Sequence, residues 1–245
     1  MRIFLYTVSL LLGVCSCSEQ YNIAGEVSQD TFKGDMLYLK PMDLADQHLC
    51  LDSCRMVHGQ FELMGAVDSA VMATIYIDNT RIMPVVVENG DVTIRVDYSG
   101  NHVTGTPLND RLTAFFNKMN RLQNEWNELF DQRMKLCLQG LPPEDIHERV
   151  GLKEEQLNLR MERLETDFVR DNYDNALGCG FFIMLCSQYP SPVITEQIGE
   201  ILAGAPLGFL NHPFVQGYMQ RARYSPEEAR VTPTRRGGSK RRRRN

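Results

Sequence analysis

Residues 91–119, DVTIRVDYSGNHVTGTPLNDRLTAFFNKM, change hydrophobic period part-way along, and the fold class follows from that change. Val92, Ile94 and Val96 alternate with Asp91, Thr93 and Arg95, the period of two that marks a strand with one face buried. After Thr106 the apolar positions are Leu108, Leu112, Phe115 and Met119, continuing through Leu122, Trp126 and Leu129. That four-three spacing draws one stripe along a long helix. Thr106 is placed to cap the helix, and Pro107 suits its first turn. A β region therefore ends, and a helical region begins, within a few residues.

Upstream, the alternating pattern predicts strands at Tyr21–Val27, Met36–Lys40, Leu49–Val57, Phe61–Met64, Ala70–Ile77 and Arg81–Val87, with turns at His58-Gly59 and Asp78-Asn79. Asn89-Gly90 reads as a hairpin turn joining 81–87 to 91–96, since both residues tolerate positive φ. Short strands at regular spacing predict an antiparallel β-sandwich or a partly open barrel over residues 17–106. Downstream, Gly140 and the following LPP stop the first helix, and Ile146, Val150, Leu157, Met161, Leu164 and Phe168 start a second stripe. The two long helices should pair as an antiparallel hairpin. Shorter helices are expected at 175–187, 192–202 and 212–223, giving an all-helical domain over 107–223, separate in architecture from the β domain. The fold class is α+β. Residues 224–245 are nearly devoid of apolar side chains and read as a basic, disordered tail.

The chain opens with MRIFLYTVSLLLGVCSC, in which one cation, Arg2, precedes an apolar run from Ile3 to Val14 and then small residues and cysteines. This is a signal peptide, too short for a permanent membrane span. Its ending resembles a bacterial lipoprotein signal, which makes residues 1–16 the cleaved segment and Cys17 the acylated residue. Cys15 competes for that role but has the branched Val14 directly before it, and an ordinary signal cleaved near Ser16 without lipid is the alternative. A lipoprotein's several acyl chains, at about 0.8 kcal/mol per buried methylene, anchor firmly.

Charge is unevenly distributed. All 31 acidic residues precede Arg230, whereas eight basic ones crowd the last sixteen positions, so residues 18–229 carry 17 positive and 31 negative side chains, a balance of −14. In an exported protein the basic tail would meet anionic envelope polymers or lipid phosphates, not nucleic acid. Five cysteines remain beyond the signal, an odd number for an oxidising compartment. Cys50 and Cys54 on one strand would lie about 13 Å apart, and Cys179 and Cys186 on one helix about 10 Å, both beyond disulfide reach. Most of these thiols are expected to be small buried hydrophobes.

His48, Cys50, Cys54 and His58 carry an H-x-C-x3-C-x3-H spacing, but an extended segment spreads them over roughly 30 Å, whereas zinc needs its ligands within about 2.3 Å. Without a sharp turn at Leu51–Ser53 they read as strand and turn residues, and no metal or other cofactor is assigned. No nucleophile elbow, phosphate loop or HExxH motif occurs, so no residue is assigned a catalytic role. Gly178 and Gly180 are expected to permit close helix packing. Phe115, Phe116, Trp126 and Phe130 are expected in the core, with Glu125, Glu128 and Asp131 on a solvated face.

Five segments together resemble the domain of unknown function 4369 family over roughly residues 21–120: YNIAGEV (21–27), MLYLKP (36–41), LDSCRMVHGQFEL (51–63), VVVENGDVTIRV (85–96) and VTGTPLND (103–110). The resemblance implies an N-terminal domain of envelope lipoproteins whose C-terminal half is a thioredoxin-like thiol-disulfide oxidoreductase, joined through a helical connector similar to residues 107–223. Catalysis of that type needs two cysteines two residues apart at a helix N-terminus, and no C-x-x-C occurs here. The chain is expected to be a non-enzymatic, lipid-anchored envelope protein, periplasmic or surface-facing at the outer membrane, acting as a binding or scaffold module. The alternative is an accessory subunit of a thiol-disulfide oxidoreductase system, working with a thioredoxin-like protein through Cys179 or Cys186.

Overall fold

The computed structural model describes residues 20–28, 36–42, 49–98 and 100–223. The signal peptide, Cys15, Cys17, His48 and the basic tail lie outside them. Eight strands form two four-stranded sheets: β1 (Gln20–Val27), β2 (Met36–Pro41), β3 (Asp52–Arg55), β4 (Gln60–Ala66), β5 (Val71–Ile77), β6 (Thr80–Val87), β7 (Gly90–Asp97) and β8 (Gly100–Thr104). The first sheet has the order β4-β1-β7-β8 and the second β3-β2-β5-β6. Ile23, Val92, Ile94, Leu37, Leu39 and Ile75 meet between them, each no more than 1% exposed. The expected α+β class is what forms, with one parallel pair, β1 with β7, in an otherwise antiparallel arrangement.

Asn89-Gly90 does not close a hairpin. β6 pairs with β5, while β7 pairs with β1 and β8, so the connection crosses from one sheet to the other. Only Gly90 of the two takes a positive φ, +119°. Beside it Glu88 Oε1 accepts from the backbone N–H groups of Leu108 (2.9 Å) and Asn109 (3.3 Å), which ties the connection to the start of the first helix. Asp78-Asn79 closes the β5–β6 hairpin, and His58-Gly59, with φ values of +54° and +80°, makes a tight turn closed by paired bonds between Val57 and Gln60. The expected strand Leu49–Val57 is correspondingly reduced to β3, and the turn carries the chain from the edge of the second sheet to the edge of the first. On the opposite side Asn101 Nδ2 donates to the Ile82 carbonyl at 3.1 Å. The sandwich is thereby drawn toward a partly open barrel.

The helices are α1 (Pro107–Leu138), α2 (Pro143–Ile146), α3 (Leu152–Arg170), α4 (Ala176–Cys186), α5 (Glu196–Gly204), α6 (Leu207–Leu210) and α7 (Pro213–Arg221), with a π-helical turn at His147–Gly151 linking α2 to α3. α1 and α3 form the expected antiparallel hairpin. Its far end has a small cluster of its own, Leu136, Ile146 and Val150. No helix among the described residues is long and apolar enough to cross a membrane.

α4 is apolar on every side, which requires burial all round. One flank rests on the outer face of the second sheet, where a Cβ on Gly180 would lie 2.2 Å from the Met72 sulfur; a Cβ on Gly178 would lie 2.1 Å from the Asn172 carbonyl oxygen. Those two glycines thus serve close packing, as expected. Phe181 meets Phe115 and Phe168 with ring centroids 4.6 and 4.7 Å away, and Phe182 meets Phe209 at 5.5 Å. One continuous core therefore runs from Ile23 through Met72 to Val215, shared by the β and helical halves. The expected aromatic core is right for Phe115 only in full. Phe116 is half-buried, while Trp126 and Phe130 stack at 5.5 Å far out on the hairpin, with Phe130 44% exposed.

The joint between strands and helices is made by Asn109, which is completely buried. Its Oδ1 accepts from the Val86 N–H (2.9 Å), and its Nδ2 donates to the Val86 carbonyl (2.8 Å) and to Thr106 Oγ1 (2.8 Å). A carboxamide satisfies both backbone groups of an edge-strand residue as a neighbouring strand would. Asn109→Ala should lower stability by about 3 kcal/mol, because Val86 keeps a buried donor and acceptor with no partner. Trp126→Ala, a half-buried residue, should cost only about 1–2 kcal/mol. Denaturant unfolding of both variants checks the ranking; an equal or inverted cost would place the critical packing in the outer hairpin instead.

Candidate binding surface on the first sheet

The helices cover the second sheet, so among the described residues the outer face of the first is the one left open. Along β1 the inward residues are Tyr21, Ile23 and Val27, which leaves Asn22, Ala24 and Glu26 facing out. Register then assembles two rows across the strands. One is Gln60, Glu26, Arg95 and His102; the other is Glu62, Ala24, Thr93 and Thr104. Ala24 is small and stands among longer side chains, so the middle of the face is low. The β3–β4 corner raises Arg55 and Val57 beside it, and the enclosed groove has a volume of about 990 Å³.

Charges in the groove are mixed. Arg95 Nε lies 3.0 Å from Asp97 Oδ2, and farther along the face Asn22 Nδ2 donates to Asp91 Oδ1 at 3.1 Å. Two cations, two carboxylates, an imidazole and two threonine hydroxyls suit a polar ligand that both donates and accepts hydrogen bonds, such as a peptide-like segment. They do not form a catalytic constellation. Beneath the face, glycines face aromatics across the β1–β4 pair: Gly25 opposes Phe61, and Gly65 opposes Tyr21. A Cβ on Gly25 would fall 2.7 Å from the Phe61 ring, and one on Gly65 2.6 Å from the Tyr21 hydroxyl oxygen. The Tyr21 hydroxyl donates to Asp52 Oδ2 at 3.3 Å, tying the first sheet to β3; burial, reinforced by the Asp52 charge, pushes its pKa up to about 12.

The sequence-derived sites separate in space. Cys54 lies in β3 and His58 in the turn, while the exposed Cys50 donates its thiol to the Asp52 carbonyl at 3.0 Å. Among the described residues no group of three or more His, Cys, Asp or Glu side chains could hold a metal ion. The expectation of mostly buried thiols fails: Cys50 and Cys137 are exposed, Cys54 and Cys179 half-buried, and Cys186 alone buried. Burial pushes the Cys186 thiol up to about 12, with Tyr218 hydrogen-bonded beside it. Such a thiol is protonated at neutral pH and is not a nucleophile.

Residues 21–112 match a family model described as a domain of unknown function, DUF4369. The β domain is similar to that family over those residues. The DUF4369 match ends at Leu112 and so includes the Glu88–Asn109 joint and the first turns of α1, while most of the helical region lies outside it. No curated protein and no solved structure matches the chain. Gly25, Asp52, Gly59, Phe61 and Asn109 fall at the glycine–aromatic pair, the tyrosine tie, the corner turn and the helix joint, all positions that build this chain's β domain. The groove residues Arg55, Arg95 and His102 went unsingled in the sequence. Their outward period was legible, but which strands are neighbours was not.

Raised pKa values make alkaline stability predictable. Cys186 shifts from 9.0, and Tyr21, Tyr173 and Tyr218 from 10.0, each to about 12. Between those limits the unfolded chain has lost protons that the folded chain keeps. Stability should therefore be intact below pH 9 and fall steadily from pH 9 to 12. Melting curves across that range test it, and a flat profile would mean these groups are wetted. In native protein at pH 8, a thiol reagent should modify Cys50 and Cys137 rapidly and Cys186 only on unfolding.

Proposed function

We propose that the protein is a membrane-anchored envelope lipoprotein, acylated at Cys17, whose folded body is a non-enzymatic binding or scaffold module. The observation that carries the binding role is the groove of about 990 Å³ on the sheet face that the helices leave open, lined by residues of five strands and the β3–β4 corner. A scaffold whose other face is consumed by its own helical layer presents a partner with this face. The anchor rests on the signal sequence, with its apolar run ending at Cys15 and Cys17. β1 begins at Gln20, three residues after Cys17, so the body would sit within about 10 Å of chain from the bilayer.

Two measurements test the proposal. Labelled palmitate should enter the wild-type chain and not Cys17→Ala; label that survives this change and vanishes in Cys15→Ala moves the anchor, and label in neither chain removes it. For the groove, a photo-crosslinking amino acid at Thr93 should give a discrete adduct in living cells, and Arg95→Glu in the same chain should abolish it. The same probe at the exposed Asn158 on α3 should not give that adduct. Equal adducts at both positions, or none at Thr93, would mean that the groove is not the recognition surface.

A further inference from the structure

The helical hairpin carries a second concavity, unrelated to the groove on the first sheet. Lys118 and Arg121 on α1 face Arg160 and Arg163 on α3 across a groove of about 670 Å³, floored by Leu122 and Leu164. Helical spacing accounts for the arrangement. On each helix the two cations lie three residues apart with the leucine directly after the second, so antiparallel pairing brings both leucines to the centre and the cations to the rim.

The charge of this groove runs against that of the body. Four cations stand over two carboxylates, Glu125 and Asp167, in a region whose side chains total −14. Glu125 is engaged by Arg160 at 2.8 Å. Lys118, Arg121 and Arg163 have no carboxylate within ion-pair distance among the described residues. Like charges gathered in one groove repel unless an anion enters, and arginine pairs bind phosphate oxygens in a directed, bidentate way. Leu159, 58% exposed, extends the apolar wall outward, where a bare inorganic anion would make no use of it.

From these features we infer that the groove binds a phospholipid with an anionic headgroup, its phosphate held by Arg121 and Arg163 and its glycerol and first methylenes resting on Leu122, Leu164 and Leu159. A compact headgroup fits better than a long acidic peptide. Toward the hairpin tip the next stretch of groove is lined by Glu125 and Glu128 as well as Lys153, so an extended polyanion would meet carboxylates one turn further on. The inference does not depend on the acyl anchor or on the groove of the first sheet.

Calorimetric titration of the full chain carrying Cys15→Ala and Cys17→Ala, with dihexanoyl phosphatidylglycerol kept below its micelle concentration, tests it. One saturable site is expected. Affinity should fall at least tenfold in Arg121→Glu/Arg163→Glu, whose exposed positions leave the melting temperature unchanged, and should persist in Arg149→Glu/Arg223→Glu, which makes the same charge change elsewhere. Dihexanoyl phosphatidylcholine and inorganic phosphate should each bind at least tenfold more weakly than phosphatidylglycerol. Equal binding of phosphatidylcholine would reduce the site to an apolar surface, equal binding of phosphate would make it a free-anion site, and equal binding of an octaglutamate peptide would make it a peptide groove. Any of these, or phosphatidylglycerol binding that survives the Arg121/Arg163 reversal, overturns the inference.

Discussion

A single carboxamide decides how the two halves of this molecule are held. Asn109 stands at the third position of α1, yet its side chain belongs to the second sheet, filling both hydrogen-bonding groups of Val86 on the edge strand β6. An open strand edge invites a further strand, and here the helix that leaves the sandwich closes it. Glu88 adds the reciprocal contact by accepting from the first free N–H groups of the same helix. Strand edge and helix terminus each have unpaired backbone groups, and each supplies what the other lacks.

From that joint the remaining packing follows. α1 is fixed in direction, so Phe115 lands beside Phe168 and Phe181, and α4 is brought down on β5. Small residues decide how closely the layers approach. Gly180 admits Met72, while in the first sheet Gly25 and Gly65 admit Phe61 and Tyr21 from the neighbouring strand. Each pair restores, from across the ladder, the cover that glycine cannot give its own backbone.

Element positions were legible where the period was strong, as in β7, α1 and the α1–α3 hairpin, although Thr106 at the start of α1 accepts from the Asn109 side chain and makes no capping bond of its own. Pairing was not. Asn89-Gly90 has the composition of a hairpin turn, but turn composition is a local signal and Glu88 is engaged by residues twenty positions away. Trp126 continues the apolar stripe of α1, yet the stripe outlasts the core that it serves, and its outer residues stay half-buried. The thiols were misjudged for a related reason: average burial describes a residue type, whereas Cys50 and Cys137 sit beyond a strand end and near a helix end, where neighbours are few. The groove on the first sheet depends on four strands meeting in register, which a single strand's alternation does not encode.

The parallel pairing of β1 with β7 constrains the order in which the molecule can assemble. β1 is the first strand among the described residues and also an interior strand of its sheet, with β4 on one side and β7 on the other. Register joins Tyr21 to Gly90, so the sheet needs a loop of nearly seventy residues to close before its centre exists. A chain leaving a ribosome or translocon amino end first can therefore pair β1 with β4 on one edge only until β7 has emerged. The hairpin of β5 and β6, closed across Asp78-Asn79, forms from neighbours alone. Closure of that long loop carries an entropic cost that the local β5–β6 hairpin and the α1–α3 hairpin do not bear.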